Sequence, residues 1–185
     1  MKNNIMPFFD RNFQDIFFSG IISVIGGIFA GAALAIYKDK IILIPGMLVL
    51  LPGFLELRGN ISGTFASRLS SGLFLGIINP KKFNTRVIFG NLMASFFLVM
   101  IISVVLGVLA TLFTYIILGE FTFKIIFLSI IAGILANAIE IPLTLITTFY
   151  LFRTGHDPNN IMGPFITTTG DITSILALLI AILII

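Results

Sequence analysis

Five long apolar segments, separated by short polar stretches, set the pattern of this chain. A helix needs about 20 apolar residues to cross the hydrocarbon core of a bilayer, and each segment reaches that length. The pattern therefore predicts an all-α protein with five membrane-spanning helices. Their expected ranges are 15–37, 41–75, 87–118, 123–152 and 158–185.

The second segment contains residues that disturb helices, namely Pro45, Pro52 and Gly53. A polar run follows at 56–60. Irregular backbone at membrane depth is tolerated where it lines a water-filled cavity. We therefore expect a broken second helix, with the backbone around Gly59 and the side chain of Asn60 facing such a cavity. The alternative is a simple kink, with Glu56 paired to Arg58 near the membrane interface.

Composition supports a membrane protein, since 58% of the 185 residues are hydrophobic and only 10% are charged. A soluble domain has about 25% charged residues. Residues 1–185 are expected to form a single transmembrane cation-transport domain without a soluble regulatory domain. Cysteine is absent and histidine occurs once, which excludes disulfides and His/Cys metal clusters. No catalytic set or phosphate loop is present, so we predict neither an enzyme nor a nucleic-acid-binding protein.

Basic residues near the span ends predict the orientation, because cytoplasmic loops carry an excess of Lys and Arg. A cytoplasmic N-terminus and an outside C-terminus place seven basic residues inside and three outside. Those inside are Lys2, Arg11, Arg68, Lys81, Lys82, Arg86 and Arg153, and those outside are Lys38, Lys40 and Lys124. We expect a multi-pass protein of the plasma membrane.

Asp171 is the most informative polar residue, because it interrupts an otherwise uncharged final span. A carboxylate at membrane depth costs about 3 kcal/mol or more and usually faces a cavity, a partner or an ion. Thr167 and Thr168 lie one helical turn before it. Carboxylate, hydroxyl and carbonyl oxygens suit Mg²⁺, which sheds its water reluctantly and is often held through retained waters. The alternative is a structural polar contact between helices.

Glu140 is a second carboxyl group inside a predicted span. Asn137 and Thr144 lie about one turn on either side, so the three share a helix face. We consider it a candidate ligand or coupling-ion residue together with Glu56. The equally weighted alternative is a packed or hydrogen-bonded glutamate. For His156, a solvated loop histidine is favoured over a metal ligand or pH sensor.

Two stretches resemble the MgtE-type magnesium transporters. Residues 155–171 read Gly-His-Asp-Pro-Asn-Asn-Ile-Met-Gly-Pro-Phe-Ile-Thr-Thr-Thr-Gly-Asp, which is similar to the last-helix signature of that family. Residues 57–71 read Leu-Arg-Gly-Asn-Ile-Ser-Gly-Thr-Phe-Ala-Ser-Arg-Leu-Ser-Ser, which is similar to its second-helix Gly-Asn motif. The second motif is closest to the archaeal and eukaryotic solute-carrier branch, and the chain corresponds to a single five-helix unit.

The resemblance implies a homodimer around a central Mg²⁺ pore, with Asp171 at the ion site. Gly59, Asn60, Thr167 and Thr168 would line the pore. Bacterial members add a regulatory N domain, CBS domains and a plug helix, which this sequence does not contain, so their gate is not transferred. Glu56 and Glu140 have no secure place in the family pattern.

Three functions are compatible with the sequence. The first is a channel or transporter for Mg²⁺, with oxygen ligands that also suit Ca²⁺, Mn²⁺ and Co²⁺. The second is a Na⁺- or H⁺-coupled cation exchanger that uses Glu56, Glu140 and Asp171 as a relay. The third is a non-transport membrane scaffold whose polar residues only connect helices. The expected partners are the lipid bilayer, divalent cations and a second copy of the chain.

Overall fold

The computed structural model describes residues 10–83 and 85–185, and every regular element in these ranges is an α-helix. The helices are α1 (Arg11–Ile42), α2 (Met47–Phe74), α3 (Arg86–Leu118), α4 (Lys124–Arg153) and α5 (Pro158–Ile184). Helices α1, α3, α4 and α5 are long and apolar enough to cross a membrane. This arrangement agrees with an MgtE-like transmembrane domain, and the protein is a multi-pass membrane protein.

Local sequence signals explain where the helices begin. Asp10, Thr85 and Asp157 precede α1, α3 and α5, and each side chain accepts a hydrogen bond from a backbone N–H of the first turn. Such N-caps satisfy donors that a helix cannot pair internally. Pro158 occupies the first turn of α5, where a missing N–H costs nothing.

Helix α2 departs from the expected broken helix, because it is continuous from Met47 to Phe74. The interruption lies earlier, in the turn 43–46, and residues 41–42 belong to α1. Pro52 lies only five residues inside α2, where it removes one hydrogen bond without ending the helix. The predicted opening of the backbone at 52–60 is therefore not confirmed.

Gly46 makes the sharp turn between α1 and α2 possible. Its φ of 80° is in the left-handed region, and a β-carbon there would overlap Thr114 of α3 and Ile125 of α4. Glycine alone satisfies both restrictions. The contact also places the α1–α2 turn beside the α3–α4 connection, so both lie at one end of the bundle.

The other end of the bundle collects the remaining connections. Arg153, at the end of α4, donates from Nε to the carbonyl oxygen of Pro80 in the α2–α3 connection, and its guanidinium lies 4.6 Å from the ring centroid of Phe83. His156, in the α4–α5 connection, contacts Asp15 of α1. Chain direction therefore alternates from helix to helix, and α2 runs the same length of the bundle as its neighbours.

The core lies around α2, which contacts all four other helices. Its buried side chains interlock with those of α3, α4 and α5, as in the clusters around Phe54 and Phe65. Helix α1 packs mainly on α5. Large apolar side chains such as Phe29 on α1 and Ile101 on α3 are exposed, as expected for surfaces that face lipid.

Candidate functional site

A groove lined by both polar and apolar residues lies between α2 and α5 and forms a partly open cavity of about 360 Å³. Its lining comes from one face of each helix, at spacings of three and four residues. From α2 come Pro52, Leu55, Glu56, Gly59, Asn60 and Gly63, and from α5 come Gly163, Ile166, Thr167, Gly170 and Asp171. Five of the seven residues predicted for the site thus lie together in one cavity, namely Glu56, Gly59, Asn60, Thr167 and Asp171.

Asp171 lies at the middle of α5 and lines this cavity. Its side chain is half-buried, and within residues 10–83 and 85–185 its carboxylate accepts no hydrogen bond from the protein. Both carboxylate oxygens are thus free to accept hydrogen bonds from a hydrated cation or to bind one directly.

Glu56 and Asn60 form the opposite wall. The Asn60 amide nitrogen Nδ2 donates to Glu56 Oε1 over 3.2 Å, which leaves the amide oxygen of Asn60 without a donor in the described structure. Glu56 therefore does not pair with Arg58, the alternative considered from sequence. Side chains two positions apart point to nearly opposite sides of a helix, and Arg58 is buried against α4.

Gly59 contributes space rather than a free carbonyl group. The helix is regular through position 59, so its backbone stays within the hydrogen-bonding pattern of α2. A β-carbon built there would meet nothing within 4 Å. The opened backbone expected at Gly59 is therefore not observed, and the missing side chain leaves open space in this part of the cavity.

The two threonines predicted for the site face different sides of α5. Thr167 lines the cavity and donates to the carbonyl oxygen of Gly163, whereas Thr168 packs against Gly26 of α1 and donates to the carbonyl oxygen of Pro164. Successive residues differ by about 100° around a helix, and this rotation turns Thr168 from the cavity side of α5 to the side that contacts α1. Thr168 is therefore not a wall of this cavity.

Comparison with known protein families identifies the chain. A family model described as MgtE, divalent cation transporter, matches residues 51–181, which is more than half of the sequence. The chain belongs to the MgtE family. A search of curated proteins and a search of solved structures each gave no match. The matched segment contains both walls of the cavity, while the closer likeness to the solute-carrier branch stays a prediction.

Glu140 lies outside the cavity of this MgtE-family protein. Its side chain is 0% exposed and accepts hydrogen bonds from Thr169 (2.9 Å) and Thr173 (3.2 Å) of α5. This matches the packed, hydrogen-bonded glutamate that the sequence left as the alternative. The coupled-exchanger relay required Glu56, Glu140 and Asp171 together, but only Glu56 and Asp171 share the cavity.

Two interactions of this MgtE-family chain were not evident from sequence. Arg58 reaches from α2 into the α4 interface, where Nη1 donates to the carbonyl oxygen of Gly133 over 3.2 Å. His156 Nδ1 lies 3.1 Å from Asp15, 141 residues earlier. The signal for Arg58 is a charged residue in the middle of a predicted membrane span, while the contact between His156 and Asp15 joins residues too distant in sequence to infer.

One protomer does not supply a complete metal cage. Within the described residues, no group of three or more His, Asp or Glu side chains could hold a metal ion together. Glu56, Asn60, Thr167 and Asp171 offer a few oxygen atoms around a roomy cavity instead. This chemistry suits a cation that keeps part of its hydration shell, as Mg²⁺ commonly does.

Proposed function

We propose that this protein is a Mg²⁺ channel or transporter that moves partly hydrated ions along the α2–α5 cavity, with Asp171 as the intramembrane ion site. The observation that carries the proposal is the convergence of Glu56, Asn60, Thr167 and Asp171 on one cavity. Membership of a divalent cation transporter family supports the same conclusion. The oxygen ligands also suit Ca²⁺, Mn²⁺ and Co²⁺.

The cavity volume supports a hydrated ion. Six water molecules occupy roughly 180 Å³ at about 30 Å³ each, which is about half of the 360 Å³ of the cavity. A hexahydrated Mg²⁺ therefore has room beside Asp171. The carboxylate would attract the ion electrostatically, while Asn60 and Thr167 could accept hydrogen bonds from its waters.

We further propose a homodimer in which two such cavities form one pore. Glu56, Asn60 and Thr167 are exposed on the protomer, on helices that lie among membrane spans. Polar side chains at that depth are unfavourable against lipid and need a partner or a wet cavity. A second copy that meets this face would cover it and would bring two Asp171 side chains towards one ion.

The orientation proposal, with the N-terminus in the cytoplasm of the plasma membrane, follows the same excess of basic residues. The bundle end that includes the start of α1 carries Arg11, Arg68, Lys81, Lys82, Arg86 and Arg153, and the opposite end carries Lys38, Lys40 and Lys124. Lys2 lies outside the described residues. Six basic residues against three favour the first end as the cytoplasmic one.

The direct experiment measures Mg²⁺ uptake into proteoliposomes with an internal fluorescent indicator. Asp171→Ala and Asp171→Asn should each abolish uptake, while Asp39→Asn, a carboxylate change at the far end of α1, should leave it unchanged. Size-exclusion chromatography verifies folding and assembly. Full uptake by Asp171→Ala would rule out the proposed site, and uptake that requires an opposing Na⁺ or H⁺ gradient would favour the exchanger.

A further inference from the structure

Arg58 is a buried positive charge directly behind the cavity wall. It precedes Gly59 and Asn60 of that wall, but its own side chain points away from the cavity and is 1% exposed. Only Nη1 finds a partner in the described structure, the carbonyl oxygen of Gly133, while Nε and Nη2 have none. An arginine keeps its charge in proteins, so its positive field persists in this buried position.

Glu140 is a buried acidic group on α4, and no direct ion pair joins it to Arg58 within the described residues. Gly170 lies close to both residues, because a β-carbon there would lie 3.9 Å from Arg58 Cβ and 3.9 Å from Glu140 Oε1. Gly170 also lines the cavity and immediately precedes Asp171.

The net charge behind the cavity wall depends on the charges of Arg58 and Glu140. A positive charge behind the wall repels a divalent cation, and salt screens a buried charge much less than an exposed one. An ionised carboxylate in the same buried region would offset part of that field. Thr169 and Thr173 supply hydroxyl groups at 2.9 and 3.2 Å, which are partners that an ionised carboxylate needs in a buried position.

We propose that Glu140 is the counter-ion of Arg58, and that it sets the cation affinity of the cavity by cancelling the positive field of Arg58 there. Glu140 is thus a positioning residue that acts through charge and not as a ligand. The inference rests on the proposed cation site at Asp171. In this proposal the charges of Glu140 and Arg58 together set the electrostatic field in the cavity.

The proposal predicts an asymmetry between the two single variants. Glu140→Gln keeps the shape but leaves the charge of Arg58 uncompensated, so cation affinity should fall by about 10- to 100-fold. Arg58→Gln should change affinity by less than about threefold, since a buried carboxyl group without its partner can take up a proton and become neutral. The double variant Arg58→Gln/Glu140→Gln should bind within about threefold of the wild type.

The test uses Mn²⁺ as the probe, and electron paramagnetic resonance of purified protein in lipid nanodiscs measures the free ion. Thr148→Val on α4, about two turns beyond Glu140, is the control, because it removes a buried hydrogen bond to the carbonyl oxygen of Thr144 without any change of charge. It should alter affinity by less than about threefold. An unchanged affinity in Glu140→Gln would overturn the proposal. A double variant as weak as Glu140→Gln, or a Thr148→Val defect of the same size, would also overturn it.

Two further results are needed, one for the case in which Glu140→Gln does not fold and one for the ion site itself. If Glu140→Gln does not fold, the double variant must still fold and bind Mn²⁺ within about threefold of the wild type, and its failure would contradict charge balance. Asp171→Ala separates this inference from the proposed function. Loss of Mn²⁺ binding in Asp171→Ala supports the ion site whatever the Glu140 series shows, whereas retained binding removes the site itself and the inference with it.

Discussion

Gly26 of α1 lies directly against Thr168 of α5, so closely that a β-carbon at position 26 would overlap the Cγ2 methyl group of the threonine. This contact explains why Thr168 faces away from the cavity. It also fixes how near α1 approaches α5, the helix that carries Asp171. Small residues at such crossings allow membrane helices to pack closely.

The first prediction concerns this contact. Gly26→Ala should lower the free energy of unfolding by about 1–3 kcal/mol, because overpacking forces the helices apart. Thr168→Ser in the same background removes the clashing methyl group and should restore most of the loss. Thermal unfolding in detergent measures both effects. Gly27→Ala, where a β-carbon meets nothing within 4 Å, is the control. Equal stability of Gly26→Ala and the wild type would contradict the packing.

The second prediction tests the cavity as the ion path. Gly59→Leu should abolish Mg²⁺ uptake in proteoliposomes, because the new side chain has open space to enter and would fill the cavity beside Asp171. Protomer stability should be preserved, since a β-carbon at position 59 meets no neighbour within 4 Å and the side chain extends into the cavity. Gly27→Leu on α1 is the matched control and should transport normally. Normal uptake by Gly59→Leu would place the path elsewhere.

The third prediction tests the dimer. The natural chain has no cysteine, so single cysteines report contacts without background. Thr167→Cys, on the exposed polar face, should form a cross-linked dimer with a short thiol-specific reagent in native membranes. Phe29→Cys, on the apolar face of α1, should not. Analysis by non-reducing electrophoresis is sufficient, and equal cross-linking at both positions would argue against a specific two-fold interface.

The fourth prediction concerns the contact between His156 and Asp15, in which Nδ1 lies 3.1 Å from each carboxylate oxygen. Asp15→Asn should lower the free energy of unfolding by about 0.5–1 kcal/mol, a small effect because the pair is partly exposed to solvent. His156→Gln should cost about the same, and the double variant should be no worse than either single one. Asp39→Asn is the control. Additive losses in the double variant would show that the two residues act independently.

Sequence predicted the number of helices because each apolar segment is long. The observed α3 and α5 begin at Arg86 and Pro158, within one residue of expectation, after the capping residues Thr85 and Asp157. Helix α1 extends four residues further at its start and five further at its end than expected. The broken second helix was not predictable in the same way. A proline can kink or break a helix according to its surroundings, and here the packing of α2 against four neighbours keeps it continuous.

The site was predicted in part for a similar reason. Asp171 was identified because an isolated carboxylate at membrane depth is energetically costly and usually has a function. Glu140 met the same criterion, yet its carboxylate is satisfied by Thr169 and Thr173 inside the protomer. The hydropathy pattern does not distinguish Asp171 from Glu140. Only the residues that surround each side chain in the structure do so.

The sequence alone determined that this is a helical membrane protein with MgtE-family motifs, because hydrophobic length and short motifs are local properties of the chain. The tertiary structure alone decided which polar side chains share the α2–α5 cavity, and that Arg58 and Glu140 are both buried next to Gly170. Those relationships depend on the rotation of each helix about its axis. Contacts between residues far apart in sequence set that rotation, as Gly26 and Thr168 do for α1 and α5.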